Sequence, residues 1–508
     1  MSGAAALGWF TRHEIRLAWR EWMTMMTAGR RLRPRRAMIW LVVVAALLHL
    51  PAYAVIGRFA ALRDPLDKTS LIVLTSSLFL AWALMLSQAI ESVTRVFYAR
   101  ADLDLIISSP ASLRDVFSVR IAAIALAVVA MAVLLSTPFI DILVLFGGAR
   151  WLAAFAVVIA IGLSATAVAV TITIALFRII GPVRTRLAAQ IIAAVIGAGF
   201  VIALQIAAIL SYGTLSRFAV LTSDSLAAFA PGDESLLWWP ARAMLGGLSE
   251  LLSLVAVALL LLGVVMAMLS PRFAETAVRA TAAANSARRR SRERGFHVTS
   301  PRQALRWKEL VLLRRDPWLV SQSLMQLLYL VPPAVMLWRS FSNRSDAIVL
   351  ITPIIVMAAG QLAGGLAWLT ISGEDAADLV ATSPLSASDI TRAKIEVVLI
   401  VIAAIFVPLI AALALASPRQ AVITMAGVVI AASSATSIQL WFRVQAKRSQ
   451  FRRRQTSSRI ATFAEAIISI GWAATSALAL SFAMPAALTG GMTLGLLALV
   501  RKISPRPA

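Results

Sequence analysis

Residues 102–115 read DLDLIISSPASLRD, and residues 376–389 read AADLVATSPLSASD. With Pro110 set on Pro384 the two segments align without a gap. Asp104 meets Asp378, Leu105 meets Leu379, Ser109 meets Ser383, Ser112 meets Ser386 and Asp115 meets Asp389. Ser108 faces Thr382, Val116 faces Ile390 and Arg120 faces Lys394. A repeat held at one offset predicts a chain built from two related halves.

The surroundings of the repeat are apolar. Of 508 residues, 60% are hydrophobic and only 14% charged, where a soluble domain has roughly a quarter charged. Apolar runs recur near 38–57, 70–93, 116–138, 151–177, 187–211 and 248–270, and again near 319–338, 347–371, 395–416, 421–442, 460–483 and 485–500. Each is about the length that crosses a bilayer as a helix. The expected fold is therefore all-α: a polytopic membrane protein of about twelve transmembrane helices in two parallel six-helix repeats. The domains follow as 1–271 and 301–508, joined by a basic linker at 272–300 that contains SARRRSRERG. The opening MSGAAALGWFTRHEIRLAWREW lacks a short apolar core with a small-residue cleavage site, so no cleaved signal peptide is expected.

The net charge of +24 raises the question of nucleic acid. The placement of the charges answers it. Sorted by alternate loops, one side holds only Arg58, Arg63, Lys68, Arg150, Arg217, Arg242, Arg339, Arg344 and Arg419 of the 48 Lys and Arg. The other side takes all the rest, including both termini and the linker. Basic loops stay cytoplasmic, so both termini are expected inside a cytoplasmic (inner) membrane of bacterial type. The basic excess also attracts anionic lipid headgroups. Membrane lipids are expected partners, and nucleic acid is not.

Both copies of the motif fall on the basic side, between the second and third spans of their halves. Proline disfavours helix in the residue before it, so Ser109 and Ser383 should mark breaks. Ser112 with Asp115, and Ser386 with Asp389, have the spacing of a capping box, with Asp in place of the preferred Glu. Each acidic residue also suits the positive end of the new helix. A single copy would be an ordinary capped turn. Two copies at matching places favour a role, although duplication alone could preserve them.

A second correspondence precedes the first span of each half: HEIRLAWREWM and WKELVLLRRDPW. Glu14 pairs with Glu309, Arg20 with Arg315 and Glu21 with Asp316. Trp9, Phe10, Ile15, Trp19, Trp22, Met23 and Met26 can share one broad apolar face. The pattern fits a helix lying in the membrane interface, and equally an ordinary helix end on a membrane domain.

RWKELVLLRRDP resembles the elbow helix of exporter-type ABC permeases. DLDLIISSPASLRDVFSVR resembles the segment between their second and third spans that leads into a coupling helix, and WWPARAMLGG resembles the approach to their sixth span. The likeness covers the first half well and the second in its elbow and coupling segments. It implies two six-span bundles around a pathway, with interfacial elbow helices and short cytoplasmic coupling helices. It also implies two cytoplasmic ABC ATPase subunits as partners, docked at Asp104–Asp115 and Asp378–Asp389 and carrying the ATP and Mg. The chain itself is expected to be no enzyme and to hold no cofactor. A phosphate-cradling loop needs Gly-Lys-Ser/Thr, and the dipeptide Gly-Lys does not occur here.

Other chemistry is sparse. There is no cysteine, and the three histidines, His13, His49 and His297, have no metal-ligand spacing. Ionisable groups within a membrane are functional suspects. Glu465 in its span could line a pathway or hold a partner across helices. Ser87, Gln88 and Gln361 could present polar groups to the seam between the halves, since Ser87 and Gln361 correspond under the motif offset. Taken singly, each of them is better read as an interhelical hydrogen-bonding residue. GQLAGG at Gly360–Gly365 is read as a close helix-packing site. The leading expectation is the permease of an ATP-driven exporter of an amphipathic or hydrophobic substrate. The alternative is an ion-coupled secondary transporter with parallel repeats, against which stands the shortage of titratable groups at mid-membrane. A scaffold remains a third class.

Overall fold

The computed structural model describes residues 3–26, 67–98, 112–213, 218–232, 234–290, 300–315, 351–372, 382–442 and 459–504, with isolated positions within 39–53 and 324–339 and at 380. Among the described residues there are helices and no strand. The helices are α1 (Gly3–Met26), α2 (Lys68–Tyr98), α3 (Leu113–Gly147), α4 (Ala153–Tyr212), α5 (Trp239–Met244), α6 (Leu248–Arg290), α7 (Pro301–Arg315), α8 (Ile351–Ser372), α9 (Ala387–Ala416), α10 (Pro418–Phe442), α11 (Arg459–Ala479) and α12 (Ala483–Ile503). Short helical turns lie at Phe218–Leu221 and Asp224–Phe229. Ten stretches among the described residues are long and apolar enough to span a bilayer. The chain is thus a polytopic helical membrane protein, the architecture that satisfies every backbone amide within its own segment. The first and seventh expected spans lie mostly outside the described residues, and the isolated positions described within them are helical.

Two spans are read from α4. Its two arms meet at Gly181, whose φ of 74° and ψ of 169° are non-helical. Glycine takes a positive φ without a Cβ clash, and Pro182 then opens the second arm, where its missing N–H costs nothing. The sequence expectation of a loop at Arg178–Arg186 reduces to this one break. Of the basic linker expected at 272–300, the residues through Arg290 continue α6 as helix.

The chain divides into two compact units: Met1–Leu204 with Ser216–Arg294, and Gln205–Leu215 with Gly295–Ala508. In the first, Ile90, Val93, Phe117, Ile121, Val157 and Val170 form the centre of a core drawn from α2, α3, α4 and α6. Thr94, Thr166 and Thr173 are buried there, and each hydroxyl donates to the carbonyl one turn back, at 2.7, 3.0 and 2.8 Å. A small separate cluster packs Trp238 against Leu71, Ile72, Leu221 and Ala241. Trp238 is buried, with its indole N–H donating to the Gly232 carbonyl at 3.0 Å.

In the second unit α8 is the most enclosed span and α12 the least. Around α8 stand α9, α10 and α11. Glycines allow the close approach. At Gly364 the Glu465 carboxyl occupies the space a Cβ would take, and at Gly360 Ser469 Oγ lies 2.5 Å from that position. The GQLAGG stretch therefore packs helices, as its composition indicated.

Candidate functional site

The repeated motif leads into the roots of α3 and α9, and there the structure assembles charge. In the second unit Ser383 lies in a turn, its hydroxyl donating to the Val380 carbonyl at 2.7 Å, and Pro384 follows before α9 begins. Ser386 is the N-cap of α9, with extended φ −69° and ψ 146°. Its Oγ accepts from the Asp389 N–H at 3.1 Å and donates to Asp389 Oδ2 at 2.7 Å. The Ser–Asp cap read from the sequence is present here. In the first unit Ser112 is also extended at the start of α3, with φ −63° and ψ 111°, but makes no side-chain cap bond. The symmetric expectation fails at this end. The α3 root is tied differently: Ser270 Oγ at the end of the α6 span donates to the Arg114 carbonyl at 2.6 Å, and Ser118 Oγ donates to Ser270 Oγ at 3.0 Å. Asp104, Leu105, Ser109, Pro110, Asp378 and Leu379 lie outside the described residues.

The cap difference yields a prediction. Losing a working Ser cap costs about 0.5–2 kcal/mol. Ser386→Ala should therefore speed hydrogen exchange of the first α9 amides about fivefold, the factor for ~1 kcal/mol. Ser112→Ala should leave the first α3 amides near their original rate. Equal acceleration at both ends would show that the difference in capping is not real.

Each root receives a buried ion pair from the amphipathic helix of its own unit. Glu14 of α1 and Arg120 of α3 meet at 3.4 Å, with side chains only 5% and 1% exposed. The Arg120 guanidinium also stands 5.8 Å from the Phe117 ring centroid, within cation–π range. Glu309 of α7 and Lys394 of α9 meet at 2.9 Å, and the Glu309 side chain is fully buried. Lys394 also donates to the Thr370 carbonyl near the end of α8, and Lys308 lies 3.2 Å from Glu309. Glu14 and Glu309 corresponded in the sequence, as did Arg120 and Lys394. Neither cation carries an assigned role on sequence grounds. A basic residue at the root of an apolar span reads as a topology marker, and only the fold shows that it points inward.

Further ion pairs line the α7–α9 seam. Arg302 meets Asp389 at 3.4 Å, and Glu396 accepts from Arg306 at 2.6 Å and from Arg392 at 2.9 Å. The bond to Glu396, reinforced by its charge, holds the Arg306 guanidinium above the ordinary arginine range. These pairs are partly exposed and each contributes little alone. Arg20 is an exposed residue of α1, Glu21 lies on the same helix, and Arg315 ends α7. Asp316 lies outside the described residues. Trp9, Ile15 and Trp19 of α1 are exposed apolar residues, as an interfacial helix requires.

Each expected pathway residue is placed within its own unit. In the first unit Ser87 sits against Gly197, where an added Cβ would lie 3.0 Å from its Oγ, and Gln88 is exposed. In the second unit Gln361 is half-buried. Glu465 is buried and accepts from Gln439 Nε2 at 2.6 Å, a partner across helices. Other polar bonds nearby escaped the sequence reading: Thr352 with Thr424 at 2.9 Å, Gln420 Nε2 to Thr352 at 3.0 Å, and Trp472 Nε1 to Ser434 at 3.1 Å. His49 lies 3.3 Å from Asp141, both partly exposed. No family model, curated protein or solved structure matches the chain.

Proposed function

We propose that this chain is the transmembrane permease of an ATP-driven exporter, with the ATPase on separate subunits. The observation that supports it best is the matched pair of buried ionic ties. In each unit an amphipathic helix ahead of the spans is joined to the helix that follows a repeated, proline-broken cytoplasmic segment. A force applied at that segment would reach the interfacial helix and the span as one body, because breaking a buried pair is costly. Two such segments provide two docking points, which fits a pair of ATPase subunits. In this reading residues 1–271 and 301–508 are two six-span halves in parallel repeat, the basic linker at 272–300 and both termini face the cytoplasm, and the substrate is amphipathic or hydrophobic. ATP and Mg belong to the partner subunits.

The ion-coupled alternative would rest on Glu465, the buried carboxyl within a span. Its close bond to Gln439 favours a packing role.

The test uses the full chain. Purified alone, it should not hydrolyse ATP. Purified with its ATPase, it should lose bound ATPase and transport when Ser112 and Asp115, or Ser386 and Asp389, are both replaced by Ala. Membrane abundance should be unchanged, and the combined variant should lose most. ATP turnover by the isolated chain, or full assembly and transport in the combined variant, would overturn the proposal. Transport driven by a proton gradient without ATP would establish the alternative.

A further inference from the structure

The seam between α7 and α9 contains a groove that the ion pairs do not fill. Its volume is about 350 Å³, and it is lined by Gln303, Arg306, Trp307, Leu310, Val397 and Ile400. That size lies within the range of about 300–1,000 Å³ typical of small-ligand sites. Trp307 is 66% exposed and Ile400 57%, a poor arrangement for water and a good one for hydrocarbon.

Depth along the span indicates what fills it. The α9 span is Ser388–Ala416, 29 residues. At 1.5 Å per residue it is about 43 Å long, which matches the ~40–45 Å of a bilayer with its headgroup layers. Counting from Ser388, Arg392 stands about 6 Å in and Val397 and Ile400 about 13–18 Å in. The guanidinium is thus at headgroup level and the apolar lining at acyl-chain level.

The exposed charge along this seam is cationic. Arg306 lines the groove, and Arg302, Arg306 and Arg392 face two carboxylates, Asp389 and Glu396, while Glu309 and Lys394 are buried. Arg302 and Arg392 have side chains 70% and 71% exposed, so their remaining donors are open to a ligand. Cations at headgroup depth above an apolar trough match a phospholipid better than they match a soluble peptide. We propose that the α7–α9 groove binds one anionic phospholipid of the leaflet at that end, its phosphate on Arg302 and Arg392 and an acyl chain along Trp307, Leu310, Val397 and Ile400. This inference depends on the membrane fold and not on the exporter reading.

The experiment reads Trp307 directly. Wild-type chain and Trp307→Phe are reconstituted into phosphatidylcholine vesicles that contain either brominated phosphatidylglycerol or brominated phosphatidylcholine at equal mole fraction. The difference between the two proteins gives the quenching of Trp307. The expected result is preferential quenching by phosphatidylglycerol, with a relative affinity of about fivefold or more, the factor one headgroup-level cation contributes. Arg302→Gln with Arg392→Gln, both at exposed positions, should abolish the preference while Trp307 remains quenched by either lipid. Equal quenching of the wild type by both lipids would mean plain bilayer contact and would overturn the site. Absence of quenching would mean that protein covers the groove, and would overturn it as well. A preference that survives the double substitution would overturn the assignment of the phosphate to these two arginines.

Discussion

Arg120→Met should lower the unfolding free energy of the chain by about 3–5 kcal/mol, the cost of removing one partner from a buried ion pair. Glu14 and Arg120 are almost wholly enclosed, so the carboxylate cannot turn to water when the guanidinium goes. Glu14→Met should cost a similar amount. The double variant should recover most of the loss, since two apolar groups of similar volume need no compensation. The second unit allows the same cycle with Glu309 and Lys394. There Lys308 remains 3.2 Å from Glu309 after Lys394→Met, so that single change should fall at the lower end of the range. Unfolding titrations of the full chain in mixed detergent micelles measure both cycles. Single variants within about 1 kcal/mol of wild type would mean that the pairs behave as surface pairs do. A double variant that loses the sum of the singles would mean that the charges act independently. Either result removes the mechanical tie on which the exporter proposal leans.

The spans were legible because their signal is one-dimensional. A run of about 20 apolar residues identifies itself without reference to anything else. Local chemistry was partly legible: the Ser386–Asp389 cap follows from spacing alone. What failed depended on partners. Ser112 has the same spacing and makes no cap bond, and its helix root is instead tied by Ser270 from about 150 residues away. The basic segment at 272–300 reads as a linker, and α6 continues into it as far as Arg290. Arg120 and Lys394 were visible as a matched pair of positions. Their inward orientation was not, because a cation at a span root can either snorkel outward or face a buried carboxylate.

Gly427→Ala should destabilise the second unit by about 1–3 kcal/mol, the usual cost of overpacking a dense core. In an ordinary helix interior the same change is favourable by up to about 1 kcal/mol, because alanine loses less backbone entropy. The sign reverses here because α10 passes α8 and α11 with no room to spare. A Cβ at Gly427 would run into Ser476 Oγ of α11 and lie 2.7 Å from Val356 Cγ2 of α8. Both neighbours are short side chains on packed helices, and Ser476 is held by its bond to the Trp472 carbonyl at 2.8 Å. Neither can swing away as a long side chain could. Gly495 of α12 supplies the control, since among the described residues nothing lies within 4 Å of its added Cβ. Gly495→Ala should be neutral or mildly stabilising. Ser476→Gly should rescue part of the Gly427→Ala loss, and adding Val356→Ala should rescue more. A membrane core gains little from apolar burial between helices, because lipid is as apolar as leucine. Close contact at glycines must therefore supply much of the attraction that holds α8, α10 and α11 together. If Gly427→Ala and Gly495→Ala shift stability equally, that close contact is not what holds these helices, and the polar bonds among Thr352, Gln420, Ser434 and Trp472 would have to carry the unit instead.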